Sequence, residues 1–234
     1  MRPARPVLAI TLPFLLACAG SDSPGQGSGA AANAPATSPA LLKPDAQALA
    51  APAPDTFRVA FETTKGRFVV EGYRAWAPLG ADRFYHLARL GFFDENRFFR
   101  VLEGFIAQFG VNGDPRANKA FEDLTLGVDP VKETNARGTV TFAMGASPAT
   151  RTTQMFINFR DNRQLDEMGF APVGRVVEGM EVVDQLYAGY GEGAPSGFGP
   201  DQMRLAWEGN TYVAQQFPKL DYIRKATIVG AGAR

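Results

Sequence analysis

The chain has 234 residues and carries 24 basic and 24 acidic side chains, so its formal net charge is zero. This balance gives no reason to expect nucleic acid or an anionic membrane surface as a partner. One Cys and one His exclude a Cys/His zinc cluster and an intrachain disulfide, and we expect no metal ion and no cofactor. The 18 Phe and 25 Gly favour a β-rich core with many turns over a helical bundle.

Residues 1–17 have the features of a secretory signal. A short positive region is followed by an apolar stretch over residues 7–17, which is too short to span a bilayer. The stretch ends in Leu-Leu-Ala-Cys, and Cys18 is the only Cys of the chain. This ending resembles the lipobox of bacterial lipoproteins, which implies that Cys18 is lipidated and anchors the protein on the extracytoplasmic or periplasmic face of a bacterial cell envelope. The alternative is an ordinary signal peptide with an incidental Cys.

Residues 18–55 are predicted to be the lipidated Cys and a flexible linker. The segment 19–55 is rich in Ala, Pro, Gly and Ser and lacks aromatic residues, Ile and Val. It therefore cannot bury enough apolar surface to offset its ordering entropy. A flexible chain of this length reaches roughly 30–35 Å, and the folded domain is expected over residues 56–234.

The folded domain opens with a hairpin and a helix. Residues 57–73 alternate around a Thr-Lys-Gly turn, which predicts two antiparallel strands. Apolar residues then recur at helical spacing between Pro78 and Gly91, which predicts an amphipathic helix. On this helix His86 lies opposite the apolar face, so we expect it to face solvent.

Alternation, helical spacing and turn residues also predict the strands and helices after residue 138. Strands are predicted at 139–143, 155–158, 173–177 and 222–229, helices at 179–187 and 208–217, and a Gly/Pro loop at 189–199. Six or more strands with interspersed helices indicate an antiparallel barrel.

The stretch 97–110, with the sequence RFFRVLEGFIAQFG, carries the strongest pattern. Two alternating segments are separated by a turn at Glu103 and Gly104. Arg100 and Gln108 are therefore expected to point from neighbouring strands onto one face, among apolar side chains.

Together with residues 138–159, this stretch resembles the signature of the cyclophilin-type peptidyl-prolyl isomerases. The first segment matches F-x-R-x-x-x-G-F-x-x-Q at Phe98/Phe99, Arg100, Gly104, Phe105 and Gln108. The second, at 153–157, resembles the family's Ser-Gln-Phe-Phe-Ile segment, and the similarity extends from about residue 56 to 229. The resemblance implies a closed eight-stranded antiparallel barrel with a helix covering each end.

The resemblance also implies an activity and its residues. Rotation of X–Pro bonds is slow because the C–N bond is partly double, and a fixed cation near the proline nitrogen would bind the twisted amide better than either planar form. The implied catalytic residues are Arg100 and Gln108. The implied substrate-binding residues are Phe105, Ile106, Phe156, Leu165 and Phe170 around the proline ring, Gln154 beside the backbone, and Met144 and Gly145 along the substrate chain.

Two positions depart from the family's usual residues and keep other functions open. Gly145 stands where a polar residue is common, and Gln164 stands where eukaryotic members often have Trp. A non-catalytic module that binds proline peptides on the same fold is therefore an alternative, and a structural envelope lipoprotein is a third. The leading hypothesis is a lipid-anchored, monomeric isomerase that acts on proline-containing polypeptides and assists folding outside the cytoplasm.

Overall fold

A computed structural model describes residues 37–231. The predicted signal peptide and Cys18 lie outside these residues. The described part contains the strands β1 (Thr56–Thr63), β2 (Arg67–Tyr73), β3 (Arg100–Leu102), β4 (Ile106–Phe109), β5 (Thr139–Phe142), β6 (Met155–Asn158), β7 (Pro172–Glu178) and β8 (Ile223–Ala231). Its helices are α1 (Pro39–Leu42), α2 (Ala46–Leu49), α3 (Pro78–Arg89), α4 (Pro115–Phe121), α5 (Gln164–Glu167), α6 (Met180–Val183), α7 (Gln202–Glu208) and α8 (Asn210–Gln216).

All eight strands belong to one antiparallel sheet with the order β3-β4-β6-β5-β7-β2-β1-β8. The sheet curls into an open half-barrel, so the prediction of a closed barrel is wrong while the prediction of eight antiparallel strands is confirmed. The edge strands differ in length, since β3 has 3 residues and β8 has 9. No ladder joins β3 to β8 in the described residues, and one antiparallel bridge, between Arg97 and Tyr222, links the segments that precede these two strands.

A cluster of phenylalanine rings fills the concave side of the sheet. Phe61 of β1 stacks on Phe68 of β2 with ring centroids 4.9 Å apart, and it also contacts Phe84 of α3 and Phe109 of β4. These four rings are fully buried. Because aromatic side chains bury large apolar areas, this cluster stabilises the packing of α3 against β1 and β2 and the contact of β1 with β4.

The N-terminal arm (residues 37–55) differs from the predicted flexible linker. It contains α1 and α2, and its side chains Leu41, Leu49 and Ala53 are buried. The carboxylate of Asp82 on α3 accepts a hydrogen bond of 2.8 Å from the Ala53 amide. The arm therefore packs on α3 and α4 through a few buried Leu and Ala side chains, although it contains no aromatic residue, Ile or Val.

The arm also explains the position of His86. The side chain is buried, and its Nε2 atom lies 2.8 Å from the carbonyl oxygen of Ala51. The expectation that His86 faces solvent is wrong, because the face of α3 opposite the sheet is covered by the arm. Helical periodicity identified the two faces of α3 correctly, but it could not indicate that both are covered.

The C-terminal helices are shorter than predicted. The helix predicted at 179–187 is limited to α6. The helix predicted at 208–217 corresponds to α8, and α7, which precedes it after a break, was not predicted. The break falls at Gly209, whose φ of 66° and close approach to the Gly113 carbonyl suit only glycine. Within residues 37–231, every helix is too short or too polar to span a lipid bilayer.

Candidate active site

Three polar side chains lie in a row across β3, β4 and the start of β6. The register pairs Arg100 directly with Gln108, and Gln154 immediately precedes β6. Arg100 Nη1 donates to Gln108 Oε1 at 3.1 Å, and Gln108 Nε2 donates to Gln154 Oε1 at 2.9 Å. The prediction that Arg100 and Gln108 share one face is confirmed, and we call Arg100, Gln108 and Gln154 the polar row.

An apolar cluster lies beside the polar row. Ile106, Phe156 and Leu165 are buried together, and Phe105 and Phe170 pack against them. The rings of Phe156 and Phe170 meet edge-to-face, with centroids 5.7 Å apart. This cluster is separate from the main core, so its buried side chains are placed to receive an apolar group from outside the sheet.

The polar row and the apolar cluster line one pocket of about 530 Å³. Every residue predicted for catalysis or substrate binding lines it, namely Arg100, Phe105, Ile106, Gln108, Met144, Gly145, Gln154, Phe156, Leu165 and Phe170. The structure thus brings together residues from four regions of the chain. Their individual roles remain predictions.

The Met144–Gly145 rim of the pocket contains an internal hydrogen bond. The amide of Gly145 donates to Thr150 Oγ1 at 2.7 Å. This N–H is therefore occupied within the rim and does not offer a free donor to a substrate chain. Ala143, Thr150, Thr152, Met168 and Gln202 also line the pocket, and they were not among the residues predicted for the site.

The sequence analysis also missed Glu192, which contacts Arg100 through two hydrogen bonds. Arg100 Nε donates to Glu192 Oε1 at 2.6 Å and Nη2 donates to Oε2 at 2.7 Å. Glu192 lies on the loop between Tyr187 and Pro200, which we call the Glu192 loop. The two residues are 92 positions apart, and a single Glu in a Gly/Pro loop carries no signal that would have revealed this contact.

The ion pair between Arg100 and Glu192 is partly shielded from solvent. The Arg100 side chain is 18% exposed and that of Glu192 36%. Hydrogen bonds from Arg100 hold the pKa of Glu192 below its usual range, and the Gly193 amide contributes in the same direction while burial opposes it. Glu192 is therefore ionised at neutral pH, and the guanidinium carries a fixed carboxylate on one edge.

The arrangement of Arg100 beside the apolar cluster suits binding and polarisation of a substrate. The single His of the chain, His86, contacts the N-terminal arm and does not line the pocket. Between residues 37 and 231 no group of three or more His, Cys, Asp or Glu side chains is arranged to hold a metal ion. A fixed cation beside an apolar pocket can stabilise a polarised or twisted amide without a covalent step.

Comparison with known proteins identifies the family. The family model described as "Cyclophilin type peptidyl-prolyl cis-trans isomerase/CLD" matches residues 58–198, more than half of the chain. A peptidyl-prolyl cis-trans isomerase from Acinetobacter baylyi is 30% identical over 141 residues, which cover 55% of this chain and 70% of the relative. Peptidyl-prolyl cis-trans isomerase B of Escherichia coli is 31% identical over 141 residues, which cover 55% and 82%.

Solved structures show the same fold at lower identity. A cyclophilin-type peptidyl-prolyl cis-trans isomerase from Cryptosporidium parvum aligns with a TM-score of 0.56 and 19% identity, over 76% of this chain and 99% of that one. A second structure of that protein, determined in the presence of the dipeptide Ala-Pro, aligns with a TM-score of 0.54 and 19% identity, over 74% and 99%.

The chain belongs to the cyclophilin-type peptidyl-prolyl cis-trans isomerase family. It is an enzyme, and its activity is peptidyl-prolyl cis-trans isomerisation. The hypotheses of a non-catalytic peptide-binding module and of a purely structural lipoprotein are therefore not retained.

Proposed function

We propose that the enzyme rotates X–Pro bonds in proline-containing polypeptides, with Arg100 as the catalytic cation and the apolar cluster as the proline pocket. The observation that carries this proposal is the Arg100 guanidinium, which is held at the edge of a pocket lined by Phe105, Ile106 and Phe156. The Cryptosporidium relative crystallised in the presence of Ala-Pro supports a substrate of this class. The reaction needs no cofactor, because rotation breaks no covalent bond.

The mechanism follows from the electronic change during rotation. A planar X–Pro amide delocalises the nitrogen lone pair, and the barrier to rotation is about 18–20 kcal/mol. As the bond twists, the nitrogen regains its lone pair and accepts a hydrogen bond more strongly. A positioned guanidinium therefore stabilises the twisted amide more than either planar form, which lowers the barrier.

Arg100 has donors available for this interaction. A guanidinium has five N–H groups, of which Nε, one of Nη1 and one of Nη2 are engaged by Glu192 and Gln108. One N–H each remains on Nη1 and Nη2.

Magnitudes indicate that Arg100 does not act alone. A rate increase of about 10⁴-fold requires about 5.5 kcal/mol, whereas one charge-assisted hydrogen bond contributes about 1.5–3 kcal/mol. The remainder is assigned to the pocket around the proline ring and to Gln108 and Gln154, which hold the substrate backbone while the bond turns. This division predicts that mutations in either part reduce activity without abolishing folding.

The experiment that tests this proposal is the cis-to-trans relaxation of a short X-Pro peptide with the full chain and its Arg100→Ala variant. We expect kcat/KM to fall about 100-fold, corresponding to about 2.7 kcal/mol for the loss of one transition-state donor. Arg116→Ala is the matched control, because Arg116 has an exposed side chain and makes a bidentate pair with Asp114 away from the pocket. A folded Arg100→Ala enzyme that retains the wild-type rate would show the mechanism to be wrong.

We further propose that the enzyme works as a lipid-anchored monomer on the extracytoplasmic face of a bacterial envelope, where it assists folding. The lipobox-like ending at Cys18 supports this location. Two acyl chains would make the anchor stable, since burial contributes about 0.8 kcal/mol per CH₂. Cell fractionation of the Cys18→Ala variant tests it, because the variant should move from the membrane fraction to the soluble fraction; an unchanged distribution would contradict the proposed anchor.

A further inference from the structure

We propose that Glu192 is a positioning residue of the active site, which holds the Arg100 guanidinium in its catalytic orientation. This inference rests on the proposed role of Arg100 and adds a residue that lies outside the two segments that match the family signature. Glu192 and Gln108 both accept hydrogen bonds from the Arg100 guanidinium, and they do so from different sides.

The geometry leaves one end of the guanidinium open. Glu192 occupies the Nε–Nη2 edge with bonds of 2.6 and 2.7 Å, and Gln108 accepts from Nη1 at 3.1 Å. The planar fork of arginine matches a carboxylate in this bidentate arrangement. With both contacts formed, rotation about the last bonds of Arg100 is restricted, and the two remaining N–H groups keep one direction.

The loop holds the Glu192 carboxylate before any substrate arrives. The amide of Gly193 donates to Glu192 Oε1 at 2.9 Å, so the carboxylate has a second donor besides Arg100. The backbone of Glu192 is fixed as well, because the Gly199 amide donates to its carbonyl oxygen at 2.8 Å. A side chain at Gly197 would overlap that same carbonyl, which shows how tightly the Glu192 loop closes around this residue.

The loop is joined to the rest of the domain by aromatic contacts. The ring of Tyr190 meets Tyr187 at 5.1 Å and Phe217 at 5.0 Å, both edge-to-face. Phe217 follows α8 and belongs to a second small apolar cluster with Phe99 and Tyr212. The segment from α7 to Phe217, which lies beyond the residues matched by the family model, therefore supports the loop that carries Glu192.

The opposite role for Glu192 would be inhibition, since a carboxylate reduces the net charge beside the reacting amide. The contacts favour positioning. Glu192 takes the Nε–Nη2 edge and leaves an N–H on each terminal nitrogen, so a substrate does not have to displace it. The two roles predict opposite changes when the carboxylate is removed.

The first test is the Glu192→Gln variant of the full chain, assayed with a short X-Pro peptide. We expect kcat to fall about tenfold while KM changes less than twofold, because the pocket that binds the proline ring is unaltered. Asp184→Asn is the matched control, since Asp184 makes a bidentate pair with Arg137 and neither residue lines the pocket. A Glu192→Gln rate equal to or above that of the wild type would overturn the inference.

A second test separates positioning from a general effect on the loop. In the Arg100→Ala background, Glu192→Gln should cause no further loss, because its effect passes through Arg100. The Arg100 Nε–H resonance should also exchange slowly with solvent in the wild type and rapidly in Glu192→Gln. Equal losses in both backgrounds, or an unchanged exchange rate, would overturn the inference.

The same variants distinguish the failure of this inference from failure of the proposed function. If Arg100 is not catalytic, Arg100→Ala retains full activity. If Arg100 is catalytic but Glu192 does not position it, Arg100→Ala is slow and Glu192→Gln is normal.

Discussion

The polar row and the Glu192 loop reach the same guanidinium by different structural means. The polar row lies on paired strands, where the register of β3 and β4 places Arg100 opposite Gln108. The Glu192 loop has no ladder of its own beyond one bridge between Gly193 and Gly199. It depends instead on glycine backbone contacts and on the aromatic support of Tyr190.

This difference indicates a division of tasks in the site. Strands buried against a phenylalanine core hold side chains in one register, because a shift by one residue would move every side chain to the opposite face. A loop can add a charge without changing the sheet, and loops often carry functional residues on a rigid scaffold for that reason. The N-terminal arm offers a third case, since it packs on α3 without contributing to the pocket.

The largest effect in this comparison is expected from breaking the polar row at its centre. Gln108→Leu removes the acceptor of Arg100 Nη1 and the donor to Gln154. Losing a hydrogen bond and leaving a buried partner unpaired costs about 1–3 kcal/mol, so we expect kcat/KM to fall about tenfold or more in the peptide relaxation assay. Gln185→Leu, at an exposed position, is the control, and a Gln108→Leu rate within twofold of the wild type would show that the row is not needed.

A smaller effect is expected from disturbing the loop without touching its carboxylate. Gly197→Ala places a methyl group against the Glu192 backbone, and the loop must shift to accommodate it. We expect kcat of the Gly197→Ala variant to fall about fivefold, equivalent to about 1 kcal/mol. When Gly197→Ala is added to the Glu192→Gln variant, we expect no further fall in kcat. Gly230→Ala is the control because its added methyl group would lie 4.0 Å from the nearest side chain. If the losses of kcat from Gly197→Ala and Glu192→Gln were additive, the loop would affect the site by a mechanism that does not involve the Glu192 carboxylate.

The smallest effect on activity is expected from the N-terminal arm. Leu49→Ala removes a buried side chain between the arm and α3, and Leu→Ala changes at buried sites cost about 2–5 kcal/mol. Urea unfolding should therefore show a clear loss of stability, while kcat/KM stays within twofold of the wild type. Leu79→Ala, at an exposed position, should change stability much less. A large fall in kcat/KM in a folded Leu49→Ala variant would contradict this prediction and show that the arm influences the pocket.

Local patterns predicted much of the fold and of the polar row. The hairpin of β1 and β2, the helix α3 and the shared face of Arg100 and Gln108 follow from alternation, helical spacing and turn residues within short windows. The resemblance to a family added the apolar cluster, whose members the structure brings into one pocket. The errors concerned packing between distant segments: the covered face of α3 at His86, the ordered arm, and the open edge of the half-barrel.

The sequence by itself determined the class of enzyme and the strand residues that line its pocket, because periodicity and a two-segment signature depend only on neighbouring positions. Tertiary structure alone decided that the arm buries His86 and that Glu192 meets Arg100 across 92 positions. Such contacts depend on which surfaces remain unpaired after the sheet and helices have formed. Short-range patterns carry no information about that, because the same Glu in the same loop would be a solvated side chain if Tyr190 and Phe217 did not hold the loop beside Arg100.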